Sequence, residues 1–243
     1  MVRRLMVIAT VALLAAPAAA HAKCMAPRAF LSPGSGTVLP PNPVLYLFVP
    51  GRVSNTPPAV DLAVDGSPVA SQVESVGSVR AFATYRVTIA RETPGTLDVK
   101  VTLADAFASV LEARYTIGEA APAASASARG TGQPRHRSSS FVCSHHDTWD
   151  VPLGVDAPAY RVEWAYSREG YDTGPRVSAV FPRSLGSFFE SSEGEPLLQL
   201  GAVSCFGTTF HWPLTPIRLG IWALRADGTE VPLTSDPLIL LKP

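Results

Sequence analysis

The sequence has few charged residues, and its charges balance. Only 16% of the 243 residues are Asp, Glu, Lys or Arg, with 20 basic against 20 acidic residues. A protein that binds phosphate backbones needs a basic excess on one face, so this balance argues against nucleic acid as a partner. At 47% hydrophobic residues the chain is too apolar to be disordered. The composition predicts a folded protein of one or two domains.

Sequence motifs of catalysis are also missing. The chain has no G-x-S-x-G nucleophile elbow, no phosphate-binding G-x-x-x-x-G-K loop and no H-E-x-x-H helix. Two groups of acids, Asp147 with Asp150 and residues 190–195, could supply paired carboxylates for glycoside hydrolysis. The second group lies in a Ser/Gly-rich stretch, where acids are usually solvated. We therefore expect a protein that is not an enzyme.

A long uncharged run occurs near the N-terminus. Two arginines precede an apolar stretch at residues 5–14, and small residues follow it. This pattern is typical of a secretory signal peptide, and the stretch is shorter than the about 20 apolar residues that cross a bilayer. We predict that residues 1–22 are removed on export, by cleavage after Ala20 or Ala22. The mature chain is then expected in the periplasm or outside the cell, without a transmembrane segment.

Residues 118–140 contain no Leu, Ile, Val or aromatic residue. Such a segment cannot bury enough apolar surface to offset the entropy lost on ordering, so it predicts a flexible linker. The linker separates residues 23–117 from residues 141–243. Each of these pieces has about the size of a small β-sandwich.

Both pieces show the period-two pattern of half-buried strands, and neither shows helical periodicity. In the first piece, apolar and polar residues alternate over 82–89 and 97–103, while 44–49 is apolar at every position. In the second piece, residues 160–166 alternate likewise, and residues 217–224 begin a terminal hairpin. Asp-Gly turn signals occur in both pieces. The sequence predicts an all-β fold of two antiparallel β-sandwiches in tandem.

Short motifs give both pieces a resemblance to known modules. The first piece carries Ser-Pro-Gly-Ser-Gly at 32–36, Leu-Pro-Pro-Asn-Pro at 39–43 and Pro-Gly-Thr-Leu at 94–97, and it resembles bacterial immunoglobulin-like modules. The second piece ends with Ile-Trp-Ala-Leu at 221–224 and Asp-Gly-Thr at 227–229, and is similar to the last hairpin of fibronectin type III-like modules. The resemblance implies sandwich folds and a binding or spacing role, without any chemistry.

The chain has three cysteines, which would enter an oxidising compartment on export. Because three is an odd number, at most one intrachain disulfide forms and one thiol remains. Cys143 and Cys205 both belong to the second piece, and we predict that they pair. Closing that loop would add about 4 kcal/mol on the loop-entropy model. The alternative joins Cys24 to either of the other two.

One polar cluster stands out in the second piece. His145, His146 and Asp147 come just after the first of the paired cysteines, and His211 follows the second. The predicted disulfide would bring the two segments together, and imidazole with carboxylate is a ligand set for zinc or copper. Adjacent histidines on a strand point to opposite faces, so only one of the two would join His211 without a turn or bulge. The alternative is an exposed loop that holds no cofactor.

All four tryptophans lie in the second piece. Trp164 and Trp222 occupy strand positions and are expected to fill the core. Trp149 and Trp212 lie beside the histidine-bearing segments and are the candidates for a ligand surface, since aromatic faces stack on sugars and peptides. The leading hypothesis is an exported, non-enzymatic binding or surface-interaction protein that contacts a protein or glycan partner through its second domain. The competing hypothesis is a periplasmic copper- or zinc-binding protein that uses the polar cluster.

Overall fold

A computed structural model describes residues 28–51, 56–79, 82–103, 109–119, 131–141, 144–168, 171–172, 176–182, 197–203, 207–208 and 216–241. These residues form strands, turns and loops, and none of them is helical. The all-β class predicted from the sequence is therefore confirmed. Within these ranges no helix long and apolar enough to span a membrane is found.

In the first half, residues 28–119, the described residues form nine strands in two sheets. They are β1 (Phe30–Ser32), β2 (Val38–Leu39), β3 (Val44–Pro50), β4 (Ala59–Val64), β5 (Ser67–Pro68), β6 (Ser71–Val79), β7 (Phe82–Ile89), β8 (Gly95–Thr102) and β9 (Val110–Ile117). Sheet I has the order β1-β3-β7-β6, and sheet II has the order β2-β9-β8-β4-β5. Lettered along the chain with β2 as a side branch of the first strand, these orders are A-B-E-D and G-F-C-C′. That is the strand arrangement of immunoglobulin sandwiches.

The second half, residues 131–241, repeats most of this order. Its strands are β10 (Arg135–Phe141), β11 (Ser144–Pro152), β12 (Ala159–Arg168), β13 (Tyr171–Asp172), β14 (Val177–Pro182), β15 (Leu197–Val203), β16 (Gly207–Thr208), β17 (Ile217–Leu224), β18 (Glu230–Pro232) and β19 (Leu238–Leu240). Sheet III has the order β10-β11-β15-β16. In sheet IV, β12 and β17 pair at the centre, with β13 and β14 beside β12 and with β18 and β19 beside β17.

Strand β10 begins inside the segment predicted as linker. Arg135 is opposite Asp150, and the pairing of β10 with β11 continues to Phe141 opposite Ser144. A strand at the edge of a sheet is held by backbone hydrogen bonds to a single neighbour, so it needs few apolar side chains. For this reason a search for apolar residues misses it. Strand β10 therefore includes residues 135–140 of the segment predicted as linker.

Each half encloses its own apolar core between its two sheets. The first core lies between sheets I and II, and the second lies between sheets III and IV. Fully buried residues of the first core include Leu45, Leu47, Val87, Leu97 and Val101. Those of the second core include Val151, Tyr160, Val162, Leu200, Ile217 and Ile221.

A third apolar cluster joins the two halves. The outer face of sheet I contributes Val44, Tyr46, Phe48 and Phe82, and the outer face of sheet IV contributes Ala159, Val180 and Leu224. Sheet I is thus buried on both faces, which explains why residues 44–49 are apolar at every position. The backbone N–H of Val44 donates to the Ala226 carbonyl at 2.7 Å, and the Ser32 hydroxyl donates to the Pro158 carbonyl at 2.5 Å.

Strand β6 takes part in all three clusters. Val73 packs against the first core, Val76 against the joining cluster, and Val79 belongs to the second core. A β-bulge makes this possible, because Ser75 is opposite Tyr85 while Gly77 is opposite Thr84. The extra residue reverses which side chains face outward along the rest of the strand. Gly77 has a φ of 110°, a conformation that favours glycine.

Candidate functional site

Part of the predicted site lies outside the described residues. The backbone of β11 places His146 between Ser139 of β10 and Val203 of β15, with His145 next to it. Among the residues that the structure describes, no group of three metal-ligating side chains occurs. The disulfide, the metal site and the part of the ligand surface assigned to Trp212 stay predictions. The residues on which they depend lie outside the described ranges: Cys24, Cys143, Cys205, His211 and Trp212.

Two of the predicted residues, Asp147 and Trp149, do come together, with a histidine that the sequence did not indicate. The His136 Nε2 atom lies 2.7 Å from Asp147 Oδ1, and both side chains are partly buried. His136 is directly opposite Trp149 in the β10–β11 register, and their ring centres are 5.4 Å apart. Trp149 packs against the second core. No compositional signal marks His136, because its neighbours in the sequence are polar.

The outer face of sheet IV carries a different aromatic site, centred on Trp222. Along β17, Ile221 and Ala223 are fully buried in the second core, and Trp222 between them is on the opposite face and partly exposed. A Cβ atom on Gly220 would lie 2.5 Å from Cη2 of Trp222, so the missing side chain makes room for the indole ring. The expectation that Trp222 fills the core is therefore wrong, whereas Trp164 is 7% exposed and does belong to the core.

Arg161 of β12 lies against this indole ring. It is opposite Trp222 in the register, and its guanidinium carbon is 3.9 Å from the ring centre, a cation–π contact. Its Nε and Nη2 atoms donate to Oε2 of Glu230 at 3.0 and 2.8 Å, and Nη1 donates to Oε1 of Glu163. Two carboxylates from different strands thus hold the guanidinium in place beside the ring.

A hollow of about 120 Å³ adjoins the ring on this face. Ile239 of β19, which is 61% exposed, is opposite Arg218 in the register and extends the apolar part of the surface. We call this surface the Trp222 face. The residues that line its hollow are Glu163, Trp164, Ala165, Arg176, Arg218, Leu219, Gly220, Trp222 and Pro237.

Two further hollows among the described residues carry no aromatic side chain. One, of about 520 Å³, lies on sheet II beside Asp98 and Arg114. The other, of about 300 Å³, lies between the two halves beside Ser32 and Asp156. Ligand pockets combine flat apolar surface with a few placed polar groups, and of these three hollows the Trp222 face is the one that does so.

No protein-family model and no curated protein matches the chain. Similar solved structures include the pullulanase of Anoxybacillus sp. LM18-11 complexed with maltotriose, at 8% identity and a TM-score of 0.25 over 81% of this chain and 24% of that one. Pullulanase type I of Bacillus subtilis str. 168 complexed with maltose has 11% identity and a TM-score of 0.24, over 87% and 27%. The tandem Ig repeats of Dlar have 10% identity and a TM-score of 0.24, over 84% and 95%. The chain spans about a quarter of the two pullulanase chains, and these TM-scores assign it neither family nor function.

Proposed function

We propose that the protein is an exported, non-enzymatic binding protein that holds a glycan on the Trp222 face. The observation that carries this proposal is a partly exposed indole ring on the outer face of sheet IV, with charged groups fixed beside it. Because Arg161 covers one face of the indole, the sugar would stack on the other, since the flat apolar face of an indole suits the flat face of a sugar ring. The neighbouring guanidinium and carboxylate groups supply hydrogen bonds for hydroxyl groups.

The surroundings of the face favour a glycan over an extended peptide. Peptides commonly add to the free edge of a sheet as an extra strand. On one side of sheet IV, β14 lies against β6 of the first half. On the other side, Pro232 ends β18 and Pro237 precedes β19, and proline has no N–H to donate to an added strand. The open surface is therefore the face of the sheet rather than its edge.

The polar groups beside the ring are fixed before any ligand arrives. Glu163 and Glu230 hold the Arg161 guanidinium, which would otherwise lose side-chain entropy on binding. Gly220 leaves the indole room to lie along its own strand. Such preorganisation is typical of binding sites, because rigid groups cost less to order.

Export and the immunoglobulin-like character of the halves complete the proposal. The basic, apolar and small-residue stretches of residues 1–22 support export to the periplasm or beyond. The A-B-E-D and G-F-C-C′ strand orders of the first half support an immunoglobulin-like module. Fold alone does not set function, so the binding role rests on the Trp222 face rather than on the module.

A glycan panel tested against the purified mature chain checks the proposal. We expect Trp222→Ala to weaken binding of the best oligosaccharide at least about ten-fold, which corresponds to about 1.4 kcal/mol. Trp222→Phe keeps an aromatic face and should retain most of the affinity. Val110→Ala, at an exposed position on sheet II, is the matched control. Unchanged binding by Trp222→Ala, with a wild-type thermal transition, would reject the Trp222 face as the site.

The metal-binding hypothesis keeps its own test. The short contact between His136 and Asp147 places one imidazole and one carboxylate at the β10–β11 end of sheet III, next to the backbone of His146. Calorimetric titration with copper and zinc decides the matter, and no binding tighter than about 10 μM would reject a metal site. Binding that survives in His136→Gln but not in His146→Gln would favour the histidines named from the sequence.

A further inference from the structure

The turn between β17 and β18 touches the first half. The backbone N–H of Val44 in β3 donates to the Ala226 carbonyl at 2.7 Å. Gly228 lies so close to sheet I that a Cβ atom on it would be 3.2 Å from Cγ2 of Val44 and 3.3 Å from Nη2 of Arg86. Residues 225–229 therefore pack against sheet I, and we call them the docked turn.

The docked turn is held together by its own hydrogen bonds. The N–H of Arg225 donates to the Thr229 carbonyl at 2.9 Å, and the N–H of Gly228 donates to the Arg225 carbonyl at 3.0 Å. The Asp227 carboxylate accepts hydrogen bonds from the N–H and the hydroxyl of Thr229, at 2.9 and 2.6 Å. Asp side chains commonly fix turns by bonding the backbone two residues on. Because the turn is internally bonded, a displacement of it would also move Glu230, the next residue.

Glu230 connects the docked turn to the indole ring. Its Oε2 atom accepts two hydrogen bonds from Arg161, at 3.0 and 2.8 Å. The guanidinium carbon of Arg161 in turn lies 3.9 Å from the centre of the Trp222 ring. Glu230 also acts across the contact between the halves: burial raises the pKa of Tyr46 most, while nearby Arg86 lowers it and Glu230 raises it. The same carboxylate therefore acts on groups of both halves.

We infer that the first half controls glycan binding on the Trp222 face: the docked turn fixes Glu230, Glu230 fixes Arg161, and Arg161 orients the indole of Trp222. This inference rests on the proposed function and deepens it, because it makes the contact between the halves a determinant of affinity. A loosely held ring loses more entropy when a ligand orders it, so displacing the turn should weaken binding. Glu230 and Arg161 are then positioning residues, which act through the ring.

Two matched glycines test the inference by calorimetry on the full mature chain. Gly228 and Gly66 each follow an aspartate in a turn, and their φ values are 81° and 79°. An alanine at either position therefore adds a similar backbone strain. A Cβ atom on Gly66, however, would meet no described residue within 4 Å. We expect Gly228→Ala to weaken binding of the best oligosaccharide about five-fold or more, and Gly66→Ala to leave it unchanged.

Acrylamide quenching of tryptophan fluorescence measures how well the ring is held when no ligand is present. The Trp222 contribution is the difference between each chain and the same chain carrying Trp222→Phe. We expect this contribution to be quenched more readily in Gly228→Ala, because Arg161 then covers the ring less well, and to be unchanged in Gly66→Ala. Arg86→Met changes sheet I alone and should act in the same direction, so it replaces Gly228→Ala if that variant does not fold.

A double-mutant cycle separates this effect from general destabilisation. If the turn acts through Glu230, Gly228→Ala should cost little further affinity in a Glu230→Ala background. Full additivity of the two changes overturns the inference, as does unchanged binding and quenching in folded Gly228→Ala and Arg86→Met variants. If the wild-type chain binds no oligosaccharide of the panel, the proposed function falls, and the quenching of Trp222 alone decides whether the first half orients the ring.

Discussion

Sheets I and II share one core but differ on their outer faces. On sheet I the outward residues Val44, Tyr46 and Phe48 are all buried, because sheet IV covers them. On sheet II the outward pair Asp98 and Arg114 forms a 2.6 Å ion pair whose side chains are 43% and 74% exposed. The comparison shows that outward residues are apolar where another sheet covers them and charged where they face water.

Removing an outward ring from sheet I should be costly. Phe48 is completely buried and stacks on Phe30, with ring centres 4.9 Å apart. We expect Phe48→Ala to lower the free energy of unfolding by about 3–5 kcal/mol, as in other buried cores. The matched change on sheet II, Lys100→Ala, should stay within about 0.5 kcal/mol. Urea denaturation of both variants measures the contrast, and equal costs would contradict a covered face on sheet I.

Changing the bulge of β6 should have a smaller effect that reaches the second core. Gly77 adopts a φ of 110°, which side-chain-bearing residues avoid. We expect Gly77→Ala to cost about 1–3 kcal/mol from backbone strain. The exposed neighbour Ser78, changed to Ala, is the control. Tryptophan fluorescence reports on the second half, because all four tryptophans lie there. Thermal unfolding followed by this signal should shift to lower temperature in Gly77→Ala and stay unchanged in Ser78→Ala.

Alkaline pH should weaken the contact between the halves. Burial raises the pKa of Tyr46 to about 12; nearby Arg86 lowers it, and Glu230 raises it. Because the folded pKa exceeds the unfolded value near 10, the stabilisation is complete below pH 10 and is lost as the pH rises toward 12. We expect a loss of about 1 kcal/mol by pH 11, where one pKa unit equals 1.36 kcal/mol. Tyr46→Phe should remove this share of the pH dependence, measured as unfolding free energies from pH 9 to 11.

The sequence predicted the strands of the first half well, because their pattern is local. Residues 97–103 alternate, and β8 has one buried and one wetter face, as expected. Residues 44–49 are apolar at every position, and the structure covers this strand on both sides. What covers them was not predictable, because the covering residues are scattered singly along the second half, as Ala159, Val180 and Leu224. Contacts between distant layers leave no periodic signal in either partner.

The candidate site was harder to predict for the same reason. Trp164 and Trp222 both lie on strands, yet one enters the core and the other faces outward. Their difference depends on the register of β12 against β17, in which Trp164 is opposite Leu219 and Trp222 is opposite Arg161. A single-residue slip would exchange the two faces. Composition alone therefore finds the tryptophans but not the surface that they form.

The bulge in β6 bears on how separable the two halves are. The polar stretch at 118–140 suggests a point at which the two halves could be separated and expressed as independent domains. Val79, however, is encoded with the first half and sits in the core of the second. A second half expressed alone would lack that side chain, and a first half alone would expose the outer face of sheet I to water. We therefore expect the two halves to fold stably only when they are expressed together in one chain.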